Sequence, residues 1–286
     1  GLPLGLEWAG EIIEVGEGID QWNIGDRVMG AGPGAFAEYV LANAEWIYSI
    51  PDHMSYEQAA ALPVALQTMH DAIVSNGQFV KGQSVLVQGA SSAVGLMGMQ
   101  IAKYLGASQV IGTSTSEANR ARLTEFGATL AIDQTAADWT NLVNKATRRK
   151  GVDLVIDLLA GPYVNANLSV TKVGGRMVNV GRMAGENGNF DFDQHSMRRV
   201  SYVGVSFRSR TPAEITTVIS RTKQDLLSGL ESGALTIPLD EIYDFGNYVI
   251  TGNPTAHKLS SALKKFNKKR EINRAMVNKF ISEIVA

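Results

Sequence analysis

The chain contains no cysteine. That absence excludes disulfides, thiolate nucleophiles, iron–sulfur clusters and every zinc site built on cysteine. Histidine is nearly as scarce. His53, His70, His195 and His257 stand singly, and no metal-ligand constellation can be drawn from them. Neither sign of charge is in excess: Lys and Arg number 26 against 28 Asp and Glu, a formal net of −2. That balance gives no electrostatic case for a nucleic-acid or anionic-membrane partner. No run approaches the roughly 18 apolar residues of a membrane-spanning helix. The opening Gly1-Leu2-Pro3-Leu4-Gly5 lacks the basic region of a signal peptide. These absences predict a soluble, cytoplasmic protein.

What is present suits a folded chain of two modest domains or one large one. Its 286 residues are 45% hydrophobic and 19% charged, enough to bury a sizeable core and too apolar for wholesale disorder. Glycine is plentiful at 29 residues, so its placement is informative. Up to about residue 50 the pattern is short strands and tight turns. Ala9–Gly16 reads as a strand entering the turn Val15–Gly18, Gly25–Met29 starts another, and Ala37–Leu41 alternates as a half-buried strand does. An antiparallel, barrel-like unit is expected there.

The period then changes. Ser55 to Ser75 reads as helix, with Ser55 as N-cap and Gln58 at capping-box spacing. Strands follow at Ser84–Gln88, Gln109–Thr113, Leu130–Asp133, Val152–Asp157, Gly175–Gly181 and Arg199–Ser206. Helices are expected near 94–105, 117–126 and 138–148. Continuous apolar strands alternating with helices predict a parallel sheet covered on both faces. From about 235 the pattern departs, with a strand-like Leu239–Tyr243 and then Lys264-Lys265 and Lys268-Lys269-Arg270. That basic run reads as a solvated helix face, with anion or partner binding as the alternative.

The most informative segment is Val85-Leu86-Val87-Gln88-Gly89-Ala90-Ser91-Ser92-Ala93-Val94-Gly95. It follows a predicted strand and opens a predicted helix, as a phosphate-binding turn requires. Small residues let the backbone approach a pyrophosphate, and the helix N-terminus favours its charge. Measured against G-x-G-x-x-G, Gly95 is in place while Ala90 and Ser92 occupy the other two glycine positions. The alternative is a tight strand-to-helix turn with no ligand. The end of the second strand, Gly112-Thr113-Ser114-Thr115-Ser116, lacks the acid that would bind a ribose 2′-hydroxyl. Hydroxyls followed by Arg120 and Arg122 suit a 2′-phosphate, so NADP(H) is favoured over NAD. Against this, both arginines could be ordinary helix-surface residues.

Gly5–Gly10, Val15-Gly16-Glu17-Gly18, Gly25-Asp26-Arg27-Val28, Gly34–Val40, Ile50-Pro51-Asp52, Ala59–Pro63, Gly89–Gly95, Gly127-Ala128, Val152–Asp157, Gly174-Gly175-Arg176, Val180-Gly181 and Phe207–Thr211 follow one another along the chain. Taken in that order, these motifs resemble the zinc-independent quinone oxidoreductases (the zeta-crystallin group) of the medium-chain dehydrogenase/reductase superfamily. Zinc enzymes of the superfamily carry Gly-His-Glu where this chain has Gly5-Leu6-Glu7. The cysteine-rich structural-zinc loop is also missing, since Gly30–Gly34 runs straight into Ala35-Phe36. Members usually have several tens of residues ahead of the Gly-x-Glu segment. The resemblance therefore implies a barrel domain without its first strands, by truncation or by absence. Arg274–Ala286 resembles the closing strand of that domain, and 243–273 has no good match.

The resemblance implies a Rossmann nucleotide-binding domain of 63–234 and a partial GroES-like substrate domain of 1–62 and 235–286. The implied reaction is zinc-free hydride transfer from NADPH to a quinone or an α,β-unsaturated carbonyl. Ala90, Ser91, Ser92, Ala93 and Val94 would meet the pyrophosphate, and Ser114, Ser116 and Arg120 the 2′-phosphate. Asn179, Val180 and Gly181 would lie along the ribose and nicotinamide, Thr68 near the carboxamide, and Phe207 and Arg208 beside the cofactor. The ring would sit at the carboxyl ends of the parallel strands, at the cleft with the barrel domain. For Thr68 helix packing is the alternative, and for Arg208 and Arg210 a surface ion pair. No general acid stands out; Tyr39 and Tyr48 are conceivable donors, though a tyrosine in a barrel strand is more often structural. Other readings remain open: an enoyl or haloacrylate-type reductase, a zinc-free alcohol dehydrogenase, or a non-catalytic NADPH-binding protein. A homodimer through the edge strand 199–206 is expected, because an unpaired apolar edge without proline invites association.

Overall fold

In the N-terminal stretch, turn-forming glycines separate short segments that form three strands: β1 (Glu7–Glu11), β2 (Arg27–Ala31) and β3 (Ile47–Ser49). They form an antiparallel sheet in the order β1-β2-β3. The computed structural model describes residues 4–242, which fall into two compact units. One takes in the described residues up to Ala61 and those from Pro238; the other runs Leu62–Ile237.

The strand expected at Ala37–Leu41 does not form. β2 is already flanked on both sides by β1 and β3, so alternation in this segment finds no ladder among the described residues. Tyr39 and Leu41 stand in solvent at 73% and 104% exposure. Nor is there a strand at 239–242; Tyr243 lies outside the described residues, as do the basic run 264–270 and the closing strand expected at 274–286.

The single helix expected over 55–75 is broken into three pieces. Ser55 does cap α1 (Tyr56–Ala60), with both bonds of the capping box to Gln58 present. Pro63 then opens α2 (Pro63–His70) at its first position, where the missing N–H has no helical acceptor to lose. Inside a continuous helix the same ring would remove a hydrogen bond and clash. After His70 the helix widens into a π-helical segment, Asp71–Asn76.

The larger unit is built on six parallel strands: β4 (Ser84–Gln88), β5 (Gln109–Thr113), β6 (Leu130–Ile132), β7 (Val152–Asp157), β8 (Thr171–Asn179) and β9 (Ser201–Gly204). Their order, β6-β5-β4-β7-β8-β9, reverses direction between β4 and β7. That is the Rossmann order with its topological switch point. Helices α3 (Ala93–Tyr104), α4 (Glu117–Arg122), α5 (Trp139–Ala146), α6 (Val164–Val170), α7 (Phe192–Arg198) and α8 (Pro212–Glu231) connect or follow the strands. Leu86, Ile111, Val155, Met177, Val143 and Leu168 belong to one buried cluster that holds helices to sheet. Every residue of β4 is buried, the reason its centre, Val85-Leu86-Val87, is wholly apolar.

At the amino ends of the central strands Asp153 acts as a staple. Its carboxylate accepts from the Ser84 N–H (2.9 Å) and hydroxyl (2.8 Å), and Lys172 Nζ reaches it at 2.8 Å. Burial opposes its charge, but the bonds from Lys172 and Ser84 together hold its pKa below the ordinary 3.8. A lowered carboxylate contributes stability above the ordinary value and loses it as pH falls through the lowered one. Asp153→Asn should therefore cost about 1–3 kcal/mol at neutral pH, and denaturant titrations from pH 6 to pH 2 should show a flatter acid limb than the parent.

Candidate functional site

Where β4 ends, the chain must turn sharply into α3, and Gly89 makes that turn with φ +71°. It is this glycine, one before the three-glycine pattern, that the backbone geometry requires. Ser92 caps α3: its hydroxyl accepts from the Gly95 N–H and donates to the Gly89 carbonyl, each at 3.1 Å. Gly95 lets the helix close onto the turn. A Cβ there would lie 2.7 Å from Ala90 Cα, within van der Waals contact of backbone that cannot swing aside. The result is a helix N-terminus whose first N–H groups, at Ala93 and Val94, have no intrahelical acceptor. Ala93 is exposed and Ser91, Ser92 and Val94 are half-buried. A twelve-residue helix presented in this way fits a pyrophosphate.

Beneath the turn lies a chain of buried hydrogen bonds. The Gly89 N–H donates to Thr113 Oγ1 (3.0 Å), that hydroxyl donates to Gln88 Oε1 (2.7 Å), and Gln88 Nε2 donates to Asn167 Oδ1 (2.7 Å). Ala90 N–H also donates to the Thr113 carbonyl at 2.8 Å. β5 and α6 thereby fix the position of the first turn residues. Sequence reading identified none of Gln88, Thr113 or Asn167 as partners; their placement depends on strand pairing, which the local pattern does not show.

The residues expected at a 2′-phosphate are gathered at the end of β5, and each already carries a structural bond. Ser114 is buried, with its hydroxyl 3.0 Å from that of Ser91. Ser116 caps α4, accepting from the Asn119 N–H at 3.3 Å. Arg120 Nη1 donates to the carbonyls of Ser114 (2.9 Å) and Thr115 (3.0 Å) and pairs with Asp133 at 3.0 Å. Thr135 bonds and then Arg120 lower the Asp133 pKa, so it stays charged. Arg120 therefore ties the β5–α4 loop in place rather than projecting freely. Arg122 is turned instead to Glu125 and the Phe126 ring.

Asn179, Val180 and Gly181 stand at the carboxyl end of β8, beside Asp157 at the end of β7. The N–H groups of Val180 and Gly181 both donate to the Asp157 carbonyl, which ends the strand. Asn179 donates to the Gly181 carbonyl at 3.0 Å. Asp157 has no exposed surface, and its Oδ1 accepts from the N–H groups of Leu159 and Ala160. Burial pushes its pKa up against those bonds. Met183 brings the following loop onto the Gly89–Val94 turn, since a Cβ on Gly89 would lie 2.8 Å from its methyl group. Turn, β5 end and β8 end are thus one continuous edge.

Thr68 is half-buried on α2, Phe207 is half-buried, and Arg208 is exposed on the β9–α8 connection. The anchored residue of that connection is Arg210, whose Nη2 is 2.6 Å from the buried Asp71. In the smaller unit, Tyr48 is a buried residue of β3 and Tyr39 lies outside any strand. Helix α8 was also absent from the sequence reading, although Thr211-Pro212-Ala213-Glu214 carries both of its start signals, a capping box and a first-position proline.

Comparison with known proteins matches residues 1–52 to the family "Alcohol dehydrogenase GroES-like domain" and 93–224 to "Zinc-binding dehydrogenase". The quinone oxidoreductase of Homo sapiens is 28% identical over 265 residues, covering 89% of this chain and 78% of that protein. The structure of the quinone oxidoreductase of Pseudomonas syringae pv. Tomato DC3000 superposes with TM-score 0.71 at 26% identity, over 92% of this chain and 78% of that one. The CurK enoyl reductase superposes with TM-score 0.73 at 25% identity, over 93% and 76%.

Gly95→Ala tests the closeness of turn and helix. The added methyl group meets backbone, so an overpacking loss of about 1–3 kcal/mol is expected in chemical denaturation. An unchanged midpoint would show that the turn gives way freely.

Proposed function

Because the chain belongs to the medium-chain dehydrogenase/reductase superfamily, we propose that it is an NADPH-dependent reductase of quinones or α,β-unsaturated carbonyls that works without zinc. The observation that carries this reading is the Gly89–Val94 turn at the switch point, with α3 opening behind it and no carboxylate in Thr113–Ser116. The N–H groups of the α3 N-terminus hold the pyrophosphate. The loop that Arg120 braces, with its hydroxyl-rich segment, receives the 2′-phosphate. Asn179–Gly181 lie along the ribose and nicotinamide, and Thr68, Phe207 and Arg208 close around the ring.

Bound NADPH supplies the hydride. The protein's part is to orient the reacting groups and limit water at the carboxyl edge of the sheet. Addition of hydride to a quinone or enone gives an anion stable enough to take its proton from water, which agrees with the lack of an evident acid. Leu6 in the Gly-x-Glu segment and the absence of cysteine support a reaction in which no zinc polarises the carbonyl. Enone reduction has support of its own in the likeness to the CurK enoyl reductase. We place the protein in the cytoplasm; among the described residues no helix is long and apolar enough to cross a membrane.

The reading includes a homodimer. β9 is the edge strand beyond β8, and Tyr202 on it is exposed, stacked 6.0 Å from Phe190. Phe192 and Met197 stand exposed on α7 nearby in sequence. Pairing of two β9 edges across a two-fold axis would satisfy the free backbone groups and cover apolar surface.

Fluorescence titration should show NADPH bound at least about tenfold more tightly than NADH, or 1.4 kcal/mol. Arg120→Ala should shrink that ratio, and equal affinities would overturn the cofactor assignment. A panel of quinones and enones, assayed with a chelator present throughout, should reveal NADPH consumption. No turnover by any of them would leave a nucleotide-binding protein instead. Light scattering at micromolar concentration should give the dimer mass, and Tyr202→Pro, which removes an N–H from the side of β9 turned away from β8, should give monomer.

A further inference from the structure

Two ionisable residues leave adjacent backbone positions where α2 passes into the π-helical segment. His70, with no exposed surface, has Nε2 2.7 Å from Asp225 Oδ2 on α8. Asp71, 2% exposed, is paired with Arg210 at 2.6 Å. Arg210 is the residue before Thr211, the N-cap of α8, and its guanidinium lies 5.4 Å from the Phe207 ring centroid. The far end of the π segment is held too: Arg176 on β8 donates to the Asn76 carbonyl (3.2 Å) and to Gln78 Oε1 (2.6 Å). The segment is thus pinned at both ends, to the β9–α8 connection and to the sheet.

An ion pair so deeply placed is a poor source of stability, because desolvating two charges offsets most of their attraction. What it does supply is geometry. A planar guanidinium that must meet the Asp71 carboxylate and lie by the Phe207 ring has few arrangements open to it. It therefore fixes the path of 207–210 relative to α2. Thr68 and Asp71 are three residues apart along one helical path, so they are neighbours on its surface. π-helical segments also recur at functional sites.

We propose that the Asp71–Arg210 pair is a positioning latch for the nicotinamide end of the site, holding the β9–α8 connection so that Phe207 and Arg208 face the cofactor before it arrives. The inference rests on the NADPH reading above. Arg210 and Asp71 do not touch the cofactor. They act through Phe207 and Arg208 by ordering them in advance, a cost that binding would otherwise bear.

The test compares NADPH with 2′-phospho-ADP-ribose, which carries the same phosphates and adenosine but no nicotinamide. Both are titrated at equilibrium, without substrate, against the parent, Asp71→Asn, Arg210→Gln, the double variant and Arg210→Lys. Loss of a preorganised loop should weaken NADPH by about fivefold or more in each neutralising single variant. The double variant should be no worse than the weaker single, Arg210→Lys should be intermediate, and affinity for 2′-phospho-ADP-ribose should stay as in the parent. Hydrogen exchange in 205–211 of the nucleotide-free protein should quicken in the same order. If both ligands weaken together the pair is merely structural, and if neither weakens there is no latch. Should the neutral variants fail to fold, Arg210→Lys decides alone: equal NADPH affinity and unchanged exchange overturn the proposal. A parent that binds 2′-phospho-ADP-ribose but not NADPH overturns the latch, and one that binds neither overturns the NADPH reading itself.

Discussion

Gln88 ends β4, a strand buried at every residue, and its side-chain amide has no water to turn to. A buried amide without partners would cost more than most single contacts contribute. The fold meets this by running a continuous relay from the Gly89 N–H through Thr113 and Gln88 to Asn167. Because each member polarises the next, the relay is stiffer than its bonds taken singly. Everything at the carboxyl edge is referred to it. It sets where the turn leaves β4, so it sets where α3 begins. It joins that turn to β5, whose continuing loop Arg120 ties to Asp133, and to α6, which follows the Asp157 corner. The Gly89–Val94 turn is therefore not a loose glycine-rich loop. It is a small-residue turn held from beneath by polar side chains.

This explains how a turn with one glycine of the three-glycine pattern can still be tight. Conformational freedom is needed at Gly89 and closeness at Gly95, and both are present. At the remaining positions Ala90 is buried in contact with the helix and Ser92 supplies the cap. The same economy governs the β5–α4 loop. Ser114, Ser116 and Arg120 are engaged by protein groups already, so an anion arriving there would meet donors whose directions are set. Such a site gives up adaptability for selectivity, since little side-chain ordering remains to be done.

The parallel sheet was legible from sequence because its central strands are buried and carry short apolar runs, Val85-Leu86-Val87 in β4, Val110-Ile111 in β5 and Leu154-Val155-Ile156 in β7. β5 and β7 fall on the residues expected, and β4 likewise. Boundaries that depend on partners were not legible. Ala37–Leu41 has the alternation of a strand but finds no neighbour to pair with among the described residues, and no local pattern reveals that. Pro63 is visible in the sequence, yet whether it interrupts a helix or opens one depends on what precedes it. The phosphate turn could be found from small residues between strand and helix. Asp71 and Arg210 could not be joined, for 139 residues separate them, and although Arg210 lies in the Phe207–Thr211 motif, nothing in either segment shows that the two pair. Arg120 shows a third limit: sequence suggests which charges are near an anion, but not that Asp133 will compete for them.

The staple formed by Asp153, Ser84 and Lys172 lies at the amino ends of β4, β7 and β8, a full strand length from the carboxyl edge where the candidate site is built. Cohesion and recognition are thus assigned to opposite rims of one sheet. Substitutions in the carboxyl-rim loops can accumulate without drawing on the contacts that hold the strands in register. For directed evolution this is a favourable division: a library confined to 182–189 would vary the carboxyl rim and spare Arg210, while the opposite rim keeps the scaffold heritable through many rounds of change.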